Sequence, residues 1–132
     1  MKNIHFRVLC VLALSFAVNV SFAGGRYANP PKGLLESADG CTKALEAAEK
    51  GDTAGALELT KTVRKVSLES YKELSTMPME IASSTSKKAI AALEAGNLAE
   101  AKEHLAHCKQ KTSDEIDYYT KEGKIKDGKV VP

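Results

Sequence analysis

An internal repeat constrains the fold of this chain more than any other feature. Gly96 follows Gly51 at a distance of 45 residues, and each glycine ends a run rich in Ala, Leu and Glu. Glycine is favoured at this position because it adopts the left-handed conformation that terminates a helix. Asp52 and Asn97 follow the two glycines, and both are residue types that cap the start of a helix. The repeat therefore predicts two helical hairpins with the same turn chemistry.

Apolar residues recur every three or four positions in each half, as on one face of an amphipathic helix. The predicted core face of the first helix comprises Leu34, Ala38, Cys41, Leu45 and Ala48. That of the second helix comprises Ala56, Leu59, Val63, Val66 and Leu74. That of the fourth helix comprises Leu98, Ala101, Leu105, Cys108, Thr112 and Glu115 or Ile116. Pro78 is predicted to open the third helix, since proline suits a first helical turn.

Two hairpins that each carry one apolar face bury those faces against each other. We therefore expect an all-α fold, an antiparallel up-down-up-down four-helix bundle built from two repeated helical hairpins, over residues 33–123. Residues 24–32 contain two glycines and two prolines and are expected to form a flexible leader. Residues 124–132 are expected to form a polar tail.

The first 23 residues have the pattern of a secretory signal peptide. Lys2 and Arg7 precede a mainly apolar run, Val8 to Val18, and Ser21 and Ala23 place small residues at the cleavage positions. The run is too short for a good membrane span. We expect the chain to be exported to the periplasm, without a membrane span in the mature part, and Cys10 to leave with the peptide.

The charge balance argues against a nucleic-acid partner. The chain has 19 Lys and Arg against 17 Asp and Glu, and the predicted signal peptide contains two of the basic residues and none of the acidic ones. The mature part then has 17 of each sign. A nucleic-acid interface needs a surplus of positive charge, so this class of partner is not expected.

Cys41 and Cys108 both lie on predicted core faces. Cys41 precedes Gly51 by ten residues and Cys108 follows Gly96 by twelve, so they lie roughly 15 and 18 Å from the same end of the bundle at about 1.5 Å per residue. In an exported protein this arrangement predicts a disulfide between the first and fourth helices. Two alternatives remain: buried free thiols, or thiolates that bind Zn²⁺ or Cu⁺ together with His104 and His107.

Other chemistry has weaker support in the sequence. The pair of thioethers in Met77-Pro78-Met79 could hold Cu⁺, or could simply cover the end of the core. The carboxylates mostly alternate with lysines, as in the i,i+3 pair of Glu58 and Lys61, which is typical of solvated helix faces. No nucleophile with a nearby base can be named, so we expect no enzymatic activity.

The segments Lys43 to Gly51 and Lys88 to Gly96 carry a family resemblance. The chain resembles the periplasmic small metal-binding proteins, which are exported two-hairpin bundles rich in histidine that bind divalent metals such as copper. The resemblance implies a metal-ion binding or buffering function, with copper or zinc at His104 and His107, the two histidines of the mature part. The alternative is a disulfide-cross-linked structural or protein-interaction module of the cell envelope.

The architecture is also similar to that of the soluble b-type cytochromes of the periplasm. Those proteins bind haem between a methionine of the first helix and a histidine late in the fourth. Alignment on the glycine turns places Ala38 and Ile116 at those positions, and neither side chain can ligate iron. The sequence also lacks a Cys-x-x-Cys-His run for covalent attachment, so haem is not expected.

Overall fold

A computed structural model describes residues 27–132, and the predicted signal peptide, residues 1–23, lies outside the described residues. The described chain forms four α-helices followed by a short β-hairpin. The helices are α1, Leu34–Glu49, α2, Thr53–Glu73, α3, Met77–Glu94, and α4, Leu98–Lys121. The antiparallel strands are β1, Ile125–Lys126, and β2, Lys129–Val130.

The helices close into a ring. Each helix packs along the next in the chain, and α4 packs along α1, whereas the diagonal pair α1 and α3 barely touches. This arrangement confirms the predicted all-α four-helix bundle.

Contacts between the helices show the relative directions in which they run. Gly33 lies against Ser70 and Gly40 lies against Val63, so residue numbers rise along α1 as they fall along α2. Buried apolar residues fall into two clusters. One cluster lies in the halves of the helices next to the glycine turns, and the other lies in the halves far from those turns. We infer that consecutive helices run in opposite directions. We call the end with the glycine turns the turn end, and the end with residues 27–33, 74–77 and 124–132 the terminal end.

The predicted capping chemistry holds at both glycine turns. Gly51 and Gly96 have φ angles of 76° and 75°, in the left-handed region. The Asp52 side chain accepts a hydrogen bond from the Gly55 backbone N–H at 2.9 Å. Asn97 accepts one from the backbone N–H of Glu100 at 3.2 Å, and its Nδ2 donates to the Glu100 carboxylate at 2.8 Å. These bonds satisfy donors that would otherwise be free at the helix starts.

The core contains more small and hydroxyl side chains than the apolar pattern predicted. In α2 the buried residues include Thr60, Ser67 and Ser70, whereas Leu59 and Val66 are half-buried. Thr60 and Ser67 donate hydrogen bonds to carbonyls four residues earlier in their own helix, at 2.6 and 2.7 Å. This local bond removes the penalty for burying a hydroxyl and leaves a short side chain, which lets the helices approach closely.

The prediction that Leu74 lies in the core is wrong, because α2 ends at Glu73, directly before Leu74. Leu74 has extended backbone angles, φ −146° and ψ 109°, so the helical period no longer determines where its side chain points. Its side chain is 39% exposed.

The predicted polar tail contains the β-hairpin. Asp127 and Gly128 both have positive φ, 51° and 71°, as a two-residue type I′ turn requires. Ile125 is buried in the core cluster with Leu34 and Tyr119. The hairpin therefore closes the terminal end of the core.

The part of the predicted leader that the structure describes also packs on the bundle. The Tyr119 hydroxyl donates to the Tyr27 carbonyl at 2.9 Å, and Pro31 is buried. Residues 27–32 are thus held against the ends of α2 and α4.

Close packing of α1 on α2 gives a test of the core. A methyl group at position 40 would collide with Cγ2 of Val63, a stiff and fully buried β-branched side chain. Overpacking usually costs about 1–3 kcal/mol, more than the roughly 1 kcal/mol that alanine gains over glycine in a helix. We therefore predict that Gly40→Ala lowers the free energy of unfolding, measured by urea denaturation.

The matched control shortens the Val63 side chain, with which the new methyl group would collide. In a Val63→Ala background, Gly40→Ala should become neutral or stabilising, because only the helix-propensity term remains. A Gly40→Ala variant of the otherwise unchanged protein that is more stable than its parent would contradict this packing.

Candidate functional site

The predicted disulfide is present between α1 and α4. The sulfurs of Cys41 and Cys108 are 2.02 Å apart, the Cα atoms are 5.9 Å apart, and both residues are fully buried. The bond spans 67 residues of sequence, so loop-closure entropy alone gives a stabilisation of about 4 kcal/mol. Both sulfurs are committed to the cross-link, which leaves the histidines without thiolate partners in this oxidised form.

The two histidines lie on a solvent-facing part of α4. The His104 side chain is one-quarter exposed, and its Nε2 is 3.6 Å from Oε1 of Glu100, one turn earlier. His107 is exposed. Within residues 27–132, no three or more His, Cys, Asp or Glu side chains are grouped as a metal site would need. The structure thus places one histidine beside one carboxylate, with the second histidine three residues further on.

The two methionines of Met77-Pro78-Met79 do not face the same way. Met77 is 72% exposed, whereas Met79 is fully buried in the core cluster. Pro78 lies in the first turn of α3, as predicted. The structure therefore separates the two thioethers, and Met79 serves to fill the core.

The terminal end differs from the turn end in its exposed apolar side chains. Large apolar residues with 37% to 72% of their surface exposed occur, within residues 27–132, only at the terminal end. They are Tyr27, Leu74, Met77, Val130 and Val131. They come from the leader, from the α2–α3 connection with the first residue of α3, and from the C-terminal segment, which are far apart in sequence.

An open groove of about 410 Å³ lies between the leader and the end of α2. Its apolar lining includes Tyr27, Pro30 and Leu74. At the same place Lys32 pairs with Glu73, with Nζ to Oε2 at 3.2 Å, and both side chains are exposed. The groove extends the apolar surface of the terminal end along one side of the bundle.

Buried hydroxyls are less well satisfied toward the terminal end. The Oγ atoms of Ser37 and Ser70 and the Oγ1 of Thr76 have no hydrogen-bond partner within the described chain. In contrast, Thr60 donates to the Ala56 carbonyl in the half of α2 nearer the turn end. Buried polar groups without partners are uncommon in folded proteins. The terminal half is therefore the less completely satisfied half of the bundle.

Lysines are concentrated in the C-terminal segment, residues 121–132. This segment contains Lys121, Lys124, Lys126 and Lys129, against the acidic residues Glu122 and Asp127. None of these four lysines forms an ion pair with another residue of the described chain. The terminal end thus combines exposed apolar side chains with free positive charge.

Ion pairs elsewhere are ordinary surface pairs. Nζ of Lys43 lies 2.7 Å from Oδ2 of Asp39, one turn earlier on α1. The hydrogen bond to that carboxylate and its negative charge raise the pKa of the Lys43 amine. Both side chains are well exposed, so this pair marks a solvated helix face.

Comparisons with protein-family models, with curated proteins and with solved structures found no match to this chain. None of the described helices is both long enough and apolar enough to span a membrane. The sequence predicted the cross-link, which the structure confirms, and named His104 and His107 as candidate metal ligands, which stays a prediction; it gave no expectation of the apolar terminal end. The sequence signal for that end was a hairpin turn, Asp127-Gly128, with Ile125 before it and Val130-Val131 after it.

Proposed function

We propose that this chain is an exported, non-enzymatic interaction module of the cell envelope, cross-linked by its disulfide, which binds through the terminal end. The observation that carries the proposal is the confinement of exposed large apolar side chains to that end of the described bundle. Clustered exposed apolar side chains mark interaction sites, because exposing them to water costs free energy that a partner recovers.

The cross-link supports the same interpretation. It occupies both sulfurs that a metal site on α1 and α4 would have used. It also limits the relative movement of the first and last helices, so the terminal end is presented by a rigid scaffold. A preorganised surface binds more tightly than a mobile one, since less ordering is needed on association.

Photo-crosslinking in intact cells tests this proposal. A diazirine-bearing residue at position 77, the most exposed apolar position, should form adducts with an envelope component. The same residue at position 95, an exposed site at the turn end, should form few or none. Adducts are read as protein-sized shifts on a gel and as smaller shifts by intact mass, so that protein and lipid partners are both detected.

A second substitution controls for chance collisions. Leu74→Ser removes a neighbouring apolar side chain and should reduce the yield of adducts at position 77, since the partner loses part of its contact surface. Equal yields at positions 77 and 95, or no adducts at either, would show that the terminal end is not a binding surface.

Metal binding is the second candidate, and the pairing of His104 with Glu100 on one face of α4 favours it. An imidazole and a carboxylate one turn apart, with His107 three residues further along, are ligand types that suit Cu²⁺ or Zn²⁺. The resemblance to periplasmic metal-binding proteins points in the same direction. Such a site would act as a buffer of exported metal ions.

Calorimetric titration with Cu²⁺ and with Zn²⁺ tests the second candidate. We predict binding of one ion per chain that falls about tenfold or more in His104→Ala, because the central ligand is lost. Glu46→Ala, which removes an exposed carboxylate from α1, is the control and should bind like the parent. Equal binding by the parent and His104→Ala would exclude this site.

A further inference from the structure

We infer that the terminal end binds the surface of an anionic lipid bilayer. This inference rests on the proposed function and names its partner by chemistry: a bilayer whose headgroups carry negative charge. The lysines of the C-terminal segment and the exposed apolar side chains around it are the observations that support it.

The exposed apolar side chains of the terminal end are not all gathered in one groove. Met77, Val130 and Val131 lie outside the groove that Tyr27 and Leu74 line. A protein partner usually gains most of its affinity by burying a few side chains in pockets. A bilayer interface accepts separate apolar side chains wherever they project, and Tyr is favoured at its headgroup level.

The charge of the C-terminal segment complements negatively charged headgroups. Lys124, Lys126 and Lys129 lie in or beside the hairpin that carries Val130 and Val131. Their long side chains can place the amine among headgroups while the apolar stems lie along the interface. Near an anionic surface, each lysine contributes roughly a fivefold increase in affinity.

Within the C-terminal segment, residues 121–132, acidic residues only partly offset the lysines. Glu73 already pairs with Lys32. Glu122 and Asp127 are the acidic residues of the C-terminal segment, against its four lysines. The segment therefore keeps a positive surplus.

The same charge disfavours a second copy of this chain as the partner. An end-to-end dimer would bring the four lysines of one C-terminal segment near the four of the other, and like charges in close contact repel. An acidic protein would satisfy the charge but would need a matching pocket for each apolar side chain that lies outside the groove. The observations thus favour the bilayer.

Vesicle flotation tests the inference with protein purified from cells that express the full chain, its N-terminus read by intact mass. Vesicles of phosphatidylcholine with about one-third phosphatidylglycerol should carry the protein upward, and pure phosphatidylcholine vesicles should carry roughly tenfold less. Raising the salt to about 1 M should release the protein, because screening weakens attraction between surface charges.

Three variants locate the binding surface. The triple variant K124Q/K126Q/K129Q should bind anionic vesicles about a hundredfold more weakly, since each lysine contributes roughly fivefold. L74S/M77S should also bind more weakly than the parent at low salt, because apolar contact with the bilayer is lost. K50Q/K87Q/K88Q removes the same charge from the other half of the bundle, at exposed positions, and should bind within about twofold of the parent. Circular dichroism confirms that each variant is folded.

Each outcome separates this inference from the proposed function. Flotation that is the same for the parent and for the two terminal-end variants would overturn the bilayer inference. Absence of flotation with protein adducts at position 77 would also overturn it, while the interaction module stands with an acidic protein as the partner. Absence of both flotation and adducts would overturn both proposals.

Discussion

The structure depends on the covalent link between α1 and α4 through the buried Cys41–Cys108 pair. The helices bury many Ala, Ser and Thr residues, and small side chains gain little hydrophobic free energy on burial. The cross-link compensates by restricting the unfolded chain, with a contribution of about 4 kcal/mol, which is a large share of the 5–15 kcal/mol typical of whole domains. It joins the first helix to the last and so closes the ring of four helices.

The two ends of the closed bundle have different chemistry because they are built differently. At the turn end, short glycine turns and the caps of Asp52 and Asn97 satisfy the backbone locally. At the terminal end, the leader, the α2–α3 connection and the hairpin meet, and they leave apolar side chains and free lysines exposed. A rigid bundle that exposes apolar side chains and lysines at one end is suited to binding through that end. This difference between the two ends is the basis of the proposed interaction module and of its proposed bilayer partner.

Much of the fold could be predicted because its signals are local. Gly51 and Gly96 mark helix ends, and the positions of Cys41 and Cys108 relative to those turns predict that they meet. The core faces were harder, because Thr60 and Ser67 satisfy their hydroxyls within their own helix and a hydropathy pattern counts them as polar. The terminal end could not be predicted, because its apolar side chains come from segments that only the tertiary structure brings together. Leu74 is an example. Because α2 ends at Glu73, the side chain of Leu74 lies at the surface and not in the core.

A count of free thiols on the protein purified from cells is the sharpest test of the Cys41–Cys108 cross-link. The protein is alkylated without reductant, then alkylated after reduction, and its intact mass is taken each time. With Cys41 and Cys108 bonded to each other, and with Cys10 removed in the predicted signal peptide, we expect no alkylation before reduction and two alkylations afterwards. Two alkylations without reductant would contradict the cross-link and would free both thiols for the alternative of a metal site on α1 and α4.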